Sequence, residues 1–350
     1  MNILITGIGG PTPRSIAKRV RELYPNANLI GVDTNKKAIG FFLEGLLNEK
    51  IVVPRADSKE YFVSINRIIE KFKIDFAFVQ PESEVLAWGE YFKNNKSYPC
   101  PTIIPPVEHV KALMNKAKMA ELLDGTGFIP KTITISPAQP KYEEVASEIG
   151  YPCWIRASVG SGGLGSLKID RKEELQAWLF IHKNVPEFTV SEFLTGRHLA
   201  NQMLYVNGEC IANAGLHCAE YVMADIAPSK VTGNTSYGIL LNEKTLLDKC
   251  EEVMTTVQNK TKVLANGVYS FDFKEDAHGN LMVTEINIRH MAYTGILAKC
   301  GFDLIDLSIS LLTEKSPVPV LNQYFFEKPK VFLRDVDIEP IILEQNSWVE

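Results

Sequence analysis

The chain has 350 residues, 45% of them hydrophobic and 23% charged, an ordinary globular composition that suits two or three domains of roughly 100–150 residues each. A net charge of −5 argues against a general nucleic-acid binder, and six scattered cysteines without CxxC spacing argue against a disulfide framework or a zinc site. No apolar run reaches the roughly 20 residues needed to cross a bilayer, and the N-terminus reads as a strand rather than a signal peptide, so a cytoplasmic protein with no membrane partner is expected.

Residues 2–6 are a predicted buried strand, and Gly7-Ile8-Gly9-Gly10-Pro11 turns from it into a helix over 14–24. Strands follow at 28–33, ending in Asp33, and at 50–53, then a helix at 59–72 and the most apolar strand at 74–80. Alternation at this spacing predicts an α/β unit with a parallel sheet and helices on its faces. The glycine cluster is not a full GxGxxG, because Thr12 stands at the third position. It reads either as a tight turn with no ligand or as a helix N-terminus whose Gly9 and Gly10 amides meet a substrate carboxylate or phosphate. Glu82 and Glu84 follow the 74–80 strand. They either complement the dipole of a helix begun by Pro81 or hold a substrate ammonium group. A short strand at 103–104 followed by Pro105-Pro106 sets a domain boundary near residue 106.

A helix is then predicted over 107–123, with Asn115-Lys116 inside it, and is stopped by Gly125-Thr126-Gly127. A strand at 131–135 and a helix at 142–149 lead to a hairpin, 153–157 and 166–169, whose tip is the glycine-dense stretch 160–165. Arg156, after Trp154-Ile155 at the end of a buried strand, is costly to place there without an anionic partner. A helix at 172–183 and a strand at 188–193 come next, followed by antiparallel-type strands at 202–206, 209–214, 269–274 and 280–286 and a long helix at 246–263. Asp272 lies between Phe271 and Phe273, on the strand face opposite the aromatics. In Glu285-x-Asn287-x-Arg289 all three side chains share one face. A carboxylate and an amide oxygen there can hold Mg²⁺, and the adjacent guanidinium can clamp a carboxylate or phosphate. A glycine loop with an oxygen-ligand metal site reads as nucleoside triphosphate chemistry.

Lys116, Arg156 before the 160–165 hairpin, Glu192-Phe193-Leu194 before Gly196, Asp272, and Glu285-x-Asn287-x-Arg289 occur in an order that resembles the ATP-grasp superfamily, over nearly the whole chain. Within it the sequence is most similar to the carbamoyl-phosphate synthetase large-subunit-like carboxylate–amine ligases, which share an arginine at the Arg156 position. The resemblance implies a Rossmann-like pre-ATP-grasp domain over 1–106 and a two-lobed α+β ATP-grasp domain over 107–315. The nucleotide lobe would take about 107–190, the metal lobe about 191–315, and a tail 316–350. It implies ATP and Mg²⁺, with Mn²⁺ as a substitute, and small-molecule carboxylate and amine substrates, and it is compatible with a homodimer. By the same resemblance Lys116 and Arg156 touch the α- and β-phosphates, and Ser161, Gly162, Gly163 and Gly165 fold over the triphosphate. Glu192, Phe193 and Leu194 meet the adenine. Asp272, Glu285 and Asn287 hold the metal, and Arg289 orients an acylphosphate. His198 stands near where relatives carry an acid that meets the ribose; it reads as a ribose or phosphate contact, or equally as a structural histidine. Ile288 stands where relatives usually have proline, which changes loop stiffness and leaves the charges intact, and His290-Met291-Ala292-Tyr293-Thr294-Gly295 lacks the small-residue run of carbamoyl-phosphate synthetases, which leaves acceptor specificity open. The implied reaction is ATP-dependent amide or peptide-bond formation. The alternatives are a kinase or bicarbonate-dependent carboxylase on the same fold, or a non-catalytic nucleotide-binding module.

Overall fold

The computed structural model describes residues 1–160, 163, 165–313, 326–335 and 341–344. Its first sheet is all parallel, in the order β3-β2-β1-β4. It is built from β1 (Asn2–Thr6), α1 (Pro11–Leu23), β2 (Asn28–Asp33), β3 (Glu49–Val52), α2 (Tyr61–Phe72), β4 (Phe76–Phe78) and α3 (Glu82–Asn95). The strands at its centre are buried on both faces, which is why their sequences run continuously apolar instead of alternating. The expected strand at 103–104 is absent; Thr102 makes only an isolated bridge to Ala77.

The helix expected over 107–123 is two helices, α4 (Val107–Leu113) and α5 (Lys116–Leu123). Asn115 is extended, and its side chain accepts from the amides of Ala117 and Lys118, so it caps α5. The break places Lys116 at the first helical position, where its amide also donates to the Ser158 carbonyl at 2.8 Å. A second sheet, antiparallel in the order β5-β8-β6-β7, follows. It comprises β5 (Thr132–Ile135), α6 (Tyr142–Glu144) running into a π-helical turn over Val145–Ile149, β6 (Cys153–Ala157), β7 (Leu167–Ile169), α7 (Lys172–Ile181) and β8 (Phe188–Glu192).

The third sheet has seven antiparallel strands in the order β13-β12-β9-β10-β11-β14-β15. Its elements are β9 (His198–Val206), β10 (Glu209–Tyr221), β11 (Thr235–Leu241), α8 (Lys244–Thr261), β12 (Gly267–Glu275), β13 (Leu281–Asn287), α9 (Thr294–Lys299), α10 (Leu304–Leu312), β14 (Lys330–Leu333) and β15 (Ile341–Glu344). One face packs on α8 through Leu199, Met203, Tyr269, Phe271 and Phe273, all fully buried. Each large side chain removed from water there is worth about 1.5–3 kcal/mol. The other face packs on α9 and α10 through Ala200, Leu204, Ala212 and Leu216. Those two helices also dock on α1. The Gly295 amide donates to Ser15 Oγ at 3.2 Å, Arg19 pairs with Asp303 at 2.8 Å, and the Tyr24 hydroxyl donates to Asp306 at 2.7 Å. The parallel-sheet unit is thereby held, through α1, against the helices that cover the large sheet. No helix among the described residues is long and apolar enough to cross a membrane.

Candidate functional site

All three sheets border one cleft of about 1970 Å³. Its charged floor is the end of the β12–β13 ladder. Phe271 and Phe273 point into the core as a stacked pair 5.9 Å apart, so the intervening Asp272 faces the cleft. Asp272 lies directly opposite Glu285, beside a bulge at Thr284, whose hydroxyl donates to the Asp272 carbonyl at 3.1 Å. Two carboxylates at opposed positions repel each other. The protein offsets this with Lys116, whose Nζ sits 3.0 Å from Glu285 Oε1 and donates to the Gly160 carbonyl at 2.9 Å. Asn287 Nδ2 donates to Asp272 Oδ2 at 3.0 Å. Lys116 thus connects the acid pair to the root of the glycine hairpin.

Arg156 points at the same place from β6. Part of its side chain reaches solvent, but its Nε is sealed and unpartnered among the described residues. Burial lowers its pKa below the usual guanidinium value, while the fields of Glu285 and Asp272 raise it. Among the described residues no three His, Cys, Asp or Glu side chains converge as a metal cluster. The donor set on offer is two facing carboxylates and the Asn287 amide, which is oxygen chemistry of the kind Mg²⁺ takes. His198 lies beside this set: its Nε2 is 3.6 Å from Asp272 Oδ1, too long for a hydrogen bond, and its ring lies against Tyr221.

At the other wall, Glu192 is tied to Lys131 by its amide (3.2 Å to the carbonyl) and by its carboxylate (3.1 Å from the amide). Its N–H is therefore engaged. Phe193 lies 6.2 Å from the Trp154 ring, and Lys168 Nζ sits 5.2 Å over Phe193. Trp154 and Lys168 are a cross-strand pair with no local sequence signal, because it depends on the register of β6 and β7. Arg197 is fully engaged by Glu275 and Glu243. Ser161 and Gly162 lie outside the described residues. Gly163 has φ +73° and lies so close to Val231 that a Cβ would run into that carbonyl oxygen, and Gly165 has φ +68°. Gly163 therefore touches the 222–234 segment that joins β10 to β11, another wall of the cleft that the sequence did not announce.

Three expectations are corrected. The amides of Gly9 and Gly10 are not open to an anion: Gly9 donates to Asp33 Oδ2 at 2.8 Å and Gly10 to the Gly7 carbonyl at 2.9 Å. Glu82 is not free for an ammonium group, since it pairs with Arg289 Nη2 at 3.1 Å. Glu84 is buried, hydrogen-bonded to the Tyr61 hydroxyl, which also accepts from Trp88 Nε1 at 3.1 Å. Burial pushes its carboxyl up to about 7, against hydrogen bonds from Tyr61 and Thr6 that pull it down. Both glutamates sit in the first turn of α3, which Pro81 precedes, as the helix-start reading has it. Arg289 also donates to the His290 carbonyl at 3.1 Å.

Residues 113–312, more than half the chain, match the family model described as carbamoyl-phosphate synthase L chain, ATP binding domain. Among curated proteins, the carbamoyl phosphate synthase large chain of Hyperthermus butylicus is 28% identical over 39% of this chain and 14% of its own length. The arginine-specific large chain of Bacillus subtilis is 24% identical over 58% of this chain and 19% of its own. The chain thus spans less than a fifth of either relative. In solved structures the fold is similar to N5-carboxyaminoimidazole synthetase from Staphylococcus aureus complexed with ADP. That match has TM-score 0.72 and 15% identity, covering 95% of this chain and 81% of that one. It is also similar to an L-amino acid ligase from Bacillus licheniformis (TM-score 0.68, 14% identity, 95% and 79% covered).

Proposed function

The chain belongs to the ATP-grasp family of the carbamoyl-phosphate synthase L chain ATP-binding domain, and from that premise we propose that it is an ATP-dependent carboxylate–amine ligase. Residues 1–106 then serve as the Rossmann-like pre-ATP-grasp domain and 107–315 as the ATP-grasp domain. The observation that carries the reading is the meeting of two cations with two facing carboxylates at the root of a glycine hairpin. Lys116 lies 3.0 Å from Glu285, Arg156 lines the same cleft within the fields of Glu285 and Asp272, and Gly160 is bonded to Lys116.

In this reading Arg156 and Lys116 hold the β- and α-phosphates, and the adenine lies by Phe193 and Trp154. Asp272, Glu285 and Asn287 would hold Mg²⁺, which when bound supplies neutralisation of phosphate charge. Lys116, paired with Glu285 here, would exchange that carboxylate for phosphate oxygens when nucleotide binds. A substrate carboxylate oxygen attacks the γ-phosphorus, the bond to ADP breaks, and an acylphosphate forms. Arg289 orients the acyl group, held in place by Glu82. The amine nitrogen then attacks the acyl carbon, phosphate leaves, and the nitrogen loses a proton. No side-chain nucleophile is needed, because positioning and charge stabilisation carry the reaction. Gly163 meets Val231 of the 222–234 segment at the cleft wall, and closure there would shield the acylphosphate from water.

The test is ADP release measured across amino acids and simple acids, singly and in pairs with amines. The reading expects release that requires both an acid and an amine. Release with no acceptor dependence, or none across the panel, overturns it.

A further inference from the structure

Most cations lining the cleft have an acidic counterpart: Lys116 has Glu285, Arg289 has Glu82, Arg197 has Glu275 and Glu243, and Lys168 has Asp170 at 2.6 Å. Among the described residues Arg156, Lys230, Lys274 and Arg334 line the cleft without an ion pair, and of these Arg334 keeps a terminal guanidinium nitrogen sealed and unpartnered, while Arg14, which does not line the cleft, also lacks an ion pair. Arg334 follows β14 directly, anchored by its amide to the Ser236 carbonyl at 2.8 Å. Its Nη2 donates to Asn234 Oδ1 at 3.3 Å, and its Nη1 is buried with no partner among the described residues. Arg14, in the first turns of α1, donates one Nη1 to the Gly9 carbonyl. No carboxylate pairs with either guanidinium among the described residues, and Arg14 acts on Arg334 as a like charge. Burial pushes both below the ordinary arginine value.

A buried guanidinium donor without an acceptor is costly to the fold, and more so when it carries charge. A second cation beside it adds to that cost. Such an arrangement is stabilised when an anion enters, and Arg334 lines the cleft where one can. A guanidinium presents paired N–H donors suited to carboxylate or phosphate oxygens. Only one of its two terminal nitrogens is engaged here.

We propose that Arg334, in the positive field that Arg14 adds, is a specificity subsite for a second anionic oxygen group, carboxylate or phosphate, on a substrate whose reacting group lies at Arg289. The inference rests on the cleft being a ligase site, and it narrows the substrate class to molecules bearing an acid group that does not react. A neutral analogue of the same size would leave Arg334 Nη1 unpaired and bind less well.

The experiment is calorimetry on the full chain with Mg²⁺ and ADP present, so that no turnover is involved. Two matched pairs serve as probes: O-phosphoethanolamine against ethanolamine, and L-glutamate against L-glutamine. The phosphate and carboxylate sources are thereby separated. In at least one pair the anionic member should bind tenfold or more tightly. Arg334→Met, which keeps the stem and loses the charge, should abolish that preference while ADP affinity stays within twofold. Arg334→Lys should retain part of it. Arg14→Met should reduce it less than Arg334→Met, because Arg14 is partly engaged by Gly9. Absence of preference in both pairs, or preference that survives in Arg334→Met, overturns the proposal. Failure of the ligase reading shows elsewhere, as ADP binding that does not respond to Arg156→Ala.

Discussion

The chain contains two glycine-rich turns that follow an apolar strand, and their surroundings use them in opposite ways. In the first, Gly9 and Gly10 spend their amides on Asp33 and on the Gly7 carbonyl. The turn is finished without a ligand. In the second, the Gly160 carbonyl takes a bond from Lys116, which also reaches Glu285, and Gly163 is pressed against the 222–234 segment across the cleft. The difference lies in neighbours rather than in glycine content. A strand-ending acid beside the first turn satisfies its donors from within, whereas cations and acids contributed by other elements gather at the second. A glycine cluster marks a site only where the charges around it are left to be completed from outside.

Breaking the second region should cost function before stability, and breaking the first should do the reverse. The largest effect is expected for Glu285→Gln, which keeps shape and removes charge opposite Asp272. ADP release should fall by roughly a hundredfold or more, with the thermal midpoint close to wild type. Arg156→Ala should weaken ATP binding by about ten- to hundredfold, from about 1.5–3 kcal/mol for one charge-assisted contact; calorimetry reads this directly. Gly163→Ala puts a Cβ at positive φ against the Val231 carbonyl, so the fold should lose about 1–2 kcal/mol unless the hairpin shifts off the 222–234 segment, and ATP affinity should drop roughly fivefold or more as the hairpin is displaced. Asp33→Ala, its counterpart in the first turn, should lower stability by about 1–3 kcal/mol and leave ATP affinity within twofold. If Asp33→Ala weakened ATP binding as much as Gly163→Ala, the contrast between the turns would be gone.

A smaller effect concerns the buried acid beneath the first turn. Glu84 has a folded pKa raised to about 7, so the fold binds a proton that the unfolded chain releases near its ordinary carboxyl value. That stability is fully present below the unfolded value and is lost as pH rises through about 7. Urea unfolding at pH 4.5 and 7.5 should show wild type losing stability over this interval, by roughly 1.4 kcal/mol for each pH unit that separates the folded from the unfolded carboxyl value. Glu84→Gln has no proton to lose and should flatten that decline. An unchanged pH slope in the variant would remove Glu84 from the account.

Much of this was legible in the sequence wherever the signal was local. Asp272 between two phenylalanines and Glu285-x-Asn287-x-Arg289 announce their shared face through period-two alternation, and the parallel sheet followed from the alternation of strands with helices. What depended on distant pairing was not legible. Lys116 was expected inside a helix; Asn115 capping a new helix moved it to a helix start, and a cap written Asn-Lys-Ala is easily passed over. β11 and β14 went unread because Gly238 interrupts the first, packing on the Phe332 ring of the second. With them went Arg334, whose partner Asn234 is 100 residues away. The closed state of the first glycine turn depended on where Asp33 lands, which only the register of β1 and β2 decides.

The central claim is that the facing carboxylates, Arg156 and Arg289 serve acyl activation by ATP. The most direct measurement is trapping with hydroxylamine in the presence of ATP, Mg²⁺ and the acid that supports ADP release. The account predicts an ATP-dependent hydroxamate, formed in step with ADP and lost in Glu285→Gln. ADP accompanied by a stable phosphorylated product that hydroxylamine does not attack would contradict it.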